Sequence, residues 1–143
     1  MAQLSDYNLG NSSNVAKSTL YSDLDLRFKK HPVLNDITPL KDIDAVKNSV
    51  KNLVLTNFYE RPFHPEIGSN VTRLLFEPAD VFTGIQLRDE IKRVIDDYEP
   101  RVNTVKVEVL DDSDANAYII SIGFNVIFAT ERISLTFNLQ RLR

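Results

Sequence analysis

The stretch "VIDDYEPRVNTVKVEV", residues 94–109, is where the hydrophobic period of the chain changes. Up to Tyr98 the apolar residues fall three and four apart, the spacing of one helix face, and from Val105 they fall two apart, the spacing of a strand. Glu99 precedes Pro100, and a proline ring clashes with helical geometry at the residue before it, so the helix is expected to end near Tyr98. The charges here pose a problem. Asp96, Asp97 and Glu99 crowd a helix end that already carries roughly half a negative charge, at about 0.3–1 kcal/mol for each exposed carboxylate. Either Arg101 offsets that cost within the chain, or a positive surface of another protein does.

Upstream, the helix reaches back to about Asp80, with Leu87, Ile91, Val94, Ile95 and Tyr98 on one face and Thr83 and Gln86 as a capping box. An earlier helix runs from Asp42, its expected N-cap, to about Asn57, with Ile43, Val46, Val50, Leu53 and Val54 forming its apolar stripe. Between them, "FYERPFHPEIGSN" (58–70) reads as an ordered loop, and "VTRLLFEP" as a short apolar turn closed by Pro78. In "YSDLDLRF" (21–28), Leu24, Leu26 and Phe28 alternate with Asp23, Asp25 and Arg27, the pattern of a half-buried strand. Residues 1–20 are rich in Ser and Asn and read as a flexible arm ahead of one domain, 21–143.

Downstream lie three alternating segments. Val105, Val107 and Val109 share one face; Tyr118, Ile120, Ile122, Phe124, Val126 and Phe128 share a second; Ile133, Leu135, Phe137 and Leu139 share a third. Short connections make them an antiparallel meander with one wet face. Two main amphipathic helices followed by a three-stranded meander give an α+β fold. The last segment, "ERISLTFNLQRLR", has Ser134, Thr136, Asn138 and Gln140 on its polar face. It is either an edge strand kept soluble by Arg141 and Arg143 or a central strand whose arginines face water.

The 143 residues suffice for a single core, and 17 basic against 20 acidic residues give a net charge of −3, with the basic residues scattered. That balance argues against nucleic acid and membrane surfaces as partners. The chain has no cysteine, which excludes disulfides, thiolate metal sites and a cysteine nucleophile and fits a reducing cytoplasm. Neither the pattern of a signal peptide nor a run of about 18 apolar residues is present.

Signatures of chemistry are sparse. Glycines 10, 68, 84 and 123 are too dispersed to cradle a phosphate, and His31 and His64 are far apart; His64 with Glu60 and Glu66 makes only a weak metal corner. A glycosidase needs two carboxylates across a sugar-sized cleft. Glu60, Glu66, Glu77, Glu90 and Glu99 are available, but nothing in the sequence sets any of them in an apolar pocket, and they read as solvated surface acids. No metal, cofactor or small-molecule substrate is expected. Glu99-Pro100-Arg101 leaves two readings: a helix stop with a local ion pair, or a rigid charged corner presented to a partner.

Taken together, "YSDLDLRF", "AVKNSVKNLVLTN", "ERPFHPEIGS", "LLFEP", "LRDEIKRVIDDYEPR" and the C-terminal hairpin resemble the phage contractile-tail baseplate wedge and sheath-initiator family, which includes the TssE baseplate subunit of type VI secretion. The resemblance spans about residues 21–143. It implies that Glu99, Pro100 and Arg101 are the family's hallmark motif and that Arg61, Pro62 and Phe63 form its Arg-Pro-Phe loop, both contacting partners. The implied role is structural. The motif would dock on the core helical bundle of the wedge, and the sheet would imitate the part of a sheath subunit on which the next ring builds. If the last segment is an edge strand, it is expected to template the first ring of tail sheath protein by strand addition at Ser134, Thr136, Asn138 and Gln140. The implied setting is the virion tail baseplate, assembled in the host bacterial cytoplasm. Members of the family are sometimes labelled tail lysozymes, so a peptidoglycan hydrolase is the alternative; no enzyme activity is expected.

Overall fold

Two antiparallel sheets frame the helices in the computed structural model, which describes residues 19–141 except 34, 79, 113 and 130. In chain order the elements are β1 (Ser22–Leu24), β2 (Pro39–Lys41), α1 (Asp42–Leu55), α2 (Val71–Leu74), α3 (Val81–Tyr98), β3 (Val102–Asp112), β4 (Ala117–Val126) and β5 (Arg132–Gln140). Most of the 1–20 arm, and Arg143, lie outside the described residues. The α+β fold with a C-terminal meander is the one expected from the sequence.

α3 ends at Tyr98 because Pro100 forbids continuation, and it starts one residue after Asp80. Asp80 is the N-cap: its carboxylate accepts from the Thr83 N–H at 2.7 Å. The expected Thr83–Gln86 box is therefore not the cap, and the buried Thr83 hydroxyl instead donates to the Pro78 carbonyl at 2.8 Å. α1 also starts differently from its expected form. Lys41 holds the N-cap position, while Asp42 begins the helix at φ 47° and reaches back, accepting from the N–H groups of Leu20 (2.8 Å) and Tyr21 (3.3 Å). The carboxylate thus fastens the incoming chain rather than its own helix.

Val46, Val50 and Val54 of α1 and Leu87, Ile91 and Ile95 of α3 are buried with Tyr118, Ile120, Ile122 and Phe124 of β4. Burying each such aliphatic side chain contributes about 1.5–3 kcal/mol, which makes this layer the main source of stability. β4 is the central strand of the order β3-β4-β5, and its inward face is the one the alternation indicates, ending at Val126; Phe128 lies beyond it with its ring 5.1 Å from that of Tyr21.

Two strands depart from their simple alternation. β3 shifts register between Thr104 and Lys106, so Val102 and Thr104 face inward, and Val107 faces inward beyond the shift. A β-bulge adds one residue to one strand and restores the inward face after it. β1 is only three residues long, paired with β2, and the sense of its burial is reversed: Leu24, Leu26 and Phe28 are exposed while Asp25 is 5% exposed. The physical reason is an Asx turn. Asp25 accepts from the Arg27 N–H (3.0 Å) and from its guanidinium (3.0 and 3.1 Å), and Phe28 N–H donates to the Asp25 carbonyl, which stops the strand and satisfies the acid on the inside.

Candidate docking surface

Glu99 is 3% exposed, and its carboxylate is fully engaged. Arg101 grips it in two places, Nε to Oε1 at 2.6 Å and an NH2 to Oε2 at 2.7 Å, while Ser49 of α1 donates its hydroxyl to Oε2 at 2.6 Å. A bidentate guanidinium–carboxylate pair is among the strongest charge-assisted arrangements. Burial, the largest single influence, pushes the Glu99 carboxyl up, but Arg101 and Ser49 together outweigh it and hold it below the usual range. Arg101 is raised in turn by its bond to Glu99 and lies over the Tyr21 ring at 5.1 Å from its centroid.

Of the two readings the sequence leaves open, the local ion pair is present, and the two charges are not both displayed to solvent. The ion pair joins three segments, residue 21, α1 and the α3–β3 corner, and what reaches water is Pro100 and part of Arg101, whose side chain is 30% exposed. The opening charge problem is resolved within the chain. Arg101 neutralises Glu99, while Lys92 pairs with Asp96 (2.8 Å) and Arg93 with Asp97 (3.1 Å) along α3. Neither Ser49 nor Tyr21 was singled out by sequence. Ser49 is 50 residues from Glu99, and its only local signal is a small polar residue directly beside the buried Val50.

Arg61, Pro62 and Phe63 are exposed at the tip of the 58–70 loop. Phe63 is 95% exposed at φ 72°, and Tyr59 is exposed at φ 68°. A bulky residue at positive φ stores about 1–3 kcal/mol of strain and persists only where its surroundings impose it. Here they do. Glu60 accepts from the Asn57 N–H (2.8 Å) and side-chain amide (2.7 Å), Tyr59 N–H donates to the Pro65 carbonyl (3.0 Å), and the Ser69 hydroxyl donates to the Val54 carbonyl (2.7 Å). The Tyr98 hydroxyl donates to the Glu66 carbonyl at 2.9 Å, which ties this loop to the residue before Glu99.

The third predicted surface is β5, an outer strand of the meander, paired on one side with β4. Arg141 N–H donates to the Asn116 carbonyl on the β4 side, and the register from there to Asn125 is unbroken. Because N–H direction alternates along a strand, the donors of Ser134, Thr136, Asn138 and Gln140 point away from β4. Arg141 does not guard this edge. Its guanidinium stacks over the Tyr118 ring at 4.6 Å and pairs with Asp111.

None of the four glutamates Glu60, Glu66, Glu90 and Glu99 has the raised pKa that a general acid needs. Glu60 is held low by the Asn57 N–H, Glu66 by its own N–H and His64, Glu90 by Arg93, and Glu99 as described above. Among the described residues no three histidines or acids converge as a metal site, and no helix is long and apolar enough to cross a membrane.

Residues 41–130, which include the loop and the Glu99–Arg101 corner, match the family model of the baseplate wedge protein gp25. The chain belongs to the baseplate wedge protein gp25 family. The gp25 protein of Enterobacteria phage T4 is 32% identical over 108 residues, covering 76% of this chain and 81% of that protein. Family membership makes this chain a structural protein of a contractile phage-tail baseplate wedge. The fold is shared with a chain of the post-contraction pyocin R2 baseplate (TM-score 0.51, 19% identity, 84% of this chain and 98% of that one). It is also shared with a chain of the anti-feeding prophage baseplate (0.58, 15%, 86% and 87%). A Geobacter sulfurreducens protein whose description proposes a tail lysozyme has the same fold (0.64, 19%, 68% and 89%).

Proposed function

We propose that this wedge protein docks on the core helical bundle of the baseplate through Glu99-Pro100-Arg101 and the Arg61-Pro62-Phe63 loop, and templates the first sheath ring by strand addition on β5. The observation that carries the sheath half of this reading is the row of outward backbone donors at Ser134, Thr136, Asn138 and Gln140, unpaired with any strand among the described residues. In the docking half, Glu99 orients Arg101 instead of meeting the partner itself. Its burial fixes the guanidinium and Pro100 at low entropic cost, and the strained Phe63 is displayed from a loop that the Tyr98–Glu66 hydrogen bond ties to the C-terminal turn of α3. The protein enters the baseplate in the host cytoplasm, and its partners are the other wedge proteins and the tail sheath protein.

Proline at Thr136 or Asn138 removes one outward donor and leaves the β4 ladder intact, so the monomer is expected to fold and enter baseplates while sheath growth stops. Electron microscopy of tails from both variants checks this. Full-length sheath on baseplates carrying either variant would exclude addition at this edge.

The lysozyme reading is opposed by Glu60, Glu66, Glu90 and Glu99, whose carboxyls are held below the usual range, the opposite of what a general acid needs. Purified protein is expected not to clear a suspension of bacterial cell walls. Clearing that is lost when Glu60, Glu66, Glu77 or Glu99 is changed to Gln would establish the hydrolase instead.

A further inference from the structure

The flank of α1 beside β5 carries two cations, Lys47 and Lys51, with no ion-pair partner among the described residues. They are one helical turn apart, a spacing at which like charges disfavour a helix by about 0.2–0.5 kcal/mol. By contrast, the basic residues of α3, Arg88, Lys92 and Arg93, all have one. The two lysines line a groove of about 480 Å³ whose apolar side is Leu26, Leu40 and, from β5, Leu135. Asp25 is neutralised there by Arg27, which leaves Asp44, among the described residues lining the groove, as the one acid opposing two lysines, in a chain of net charge −3.

We propose that this groove selects the partner strand: the extended segment that adds to β5 carries acidic side chains, set among apolar ones, on the face turned toward α1. The inference rests on the strand-addition reading above. A strand added to a sheet edge lies about 4.8 Å outward, and every second side chain points to the core side. On β5 that side is marked by Leu135, so the inward side chains of the newcomer enter the groove where Leu26 and Leu40 offer apolar contact and Lys47 and Lys51 offer charge. Complementary charge of this kind fixes register, excludes basic segments and speeds association.

The test is an array of overlapping peptides spanning the sheath protein of the same phage, probed with the full chain, with Lys47→Glu/Lys51→Glu, and with Thr136→Pro and Asn138→Pro. The expected result is that the bound peptides alternate and carry Asp or Glu on one face. The lysine double variant should bind them about tenfold more weakly with its fold unchanged, since surface charges move stability little. Raised salt should weaken the parent in the same way. Binding only by neutral or basic peptides, no binding at all, or equal binding by the lysine variant overturns the proposal. If the proline variants still lose binding in the last case, strand addition stands without the charge selection; if they bind as the parent does, strand addition itself has failed.

Discussion

Arg101→Glu is expected to destabilise the protein by about 3–5 kcal/mol, the range found when one partner of a buried ion pair is removed. The variant leaves Glu99 at 3% exposure with no cation and sets a second carboxylate against it. Urea unfolding followed by circular dichroism measures the loss, and a midpoint corresponding to less than about 1 kcal/mol of change would show that the pair is ornamental. The two sides of the pair differ in an informative way. Glu99→Gln is expected to cost less than Arg101→Ala, because Arg101 can turn its 30% exposed side chain to water, whereas the Glu99 carboxylate has no such exit. The same carboxylate sets a pH dependence. Its folded pKa lies below the unfolded value of about 4.3, so its contribution is complete above that value and is lost as pH falls through the folded pKa. The gap in stability between parent and Glu99→Gln should therefore be full at neutral pH and close in acid.

Gly68→Ala has the second large expected effect. A Cβ at this position would lie 2.6 Å from the Asn57 carbonyl carbon and 2.6 Å from the Phe58 nitrogen, both main-chain atoms that cannot swing aside. Gly68 is not at positive φ, so space rather than conformational freedom is what it supplies. Overpacking of this kind costs about 1–3 kcal/mol, and here the strain falls on the contact between the end of α1 and the loop. The Ser69 bonds to Val54 and Thr56 must lengthen, and the tip carrying Arg61, Pro62 and Phe63 moves with them. Melting temperature and incorporation into baseplates should fall together. A variant with the parent's melting temperature would mean that the contact of Gly68 with the Asn57–Phe58 backbone yields more easily than its packing indicates.

The long elements were legible because each has one continuous apolar face: α3 from Leu87 to Ile95 and β4 from Tyr118 to Val126 match their periodicity nearly to the residue. β1 was misjudged because alternation shows that two faces differ without showing which is inside. An aspartate that finds Arg27 two residues later can occupy the inner face while leucines face water. Asp42 looked like a cap because caps are chosen by residue type, yet its carboxylate serves chain 22 residues earlier. The Glu99-Pro100-Arg101 motif was visible as a motif but its burial was not, since burial depends on Ser49 and Tyr21, which no local pattern links to it.

The register shift in β3 also bears on how a chain of this kind tolerates changes in length. Elsewhere in the meander the loss of one residue would send every side chain beyond it to the opposite face. Between Thr104 and Lys106 the outcome is different: with the extra residue gone, Val102, Thr104, Val107 and Val109 would fall into one uninterrupted alternation, all on the core side. The bulge is therefore a joint where a one-residue deletion leaves inside and outside unchanged and alters only the twist of the strand, while the pairing of β4 with β5 is untouched.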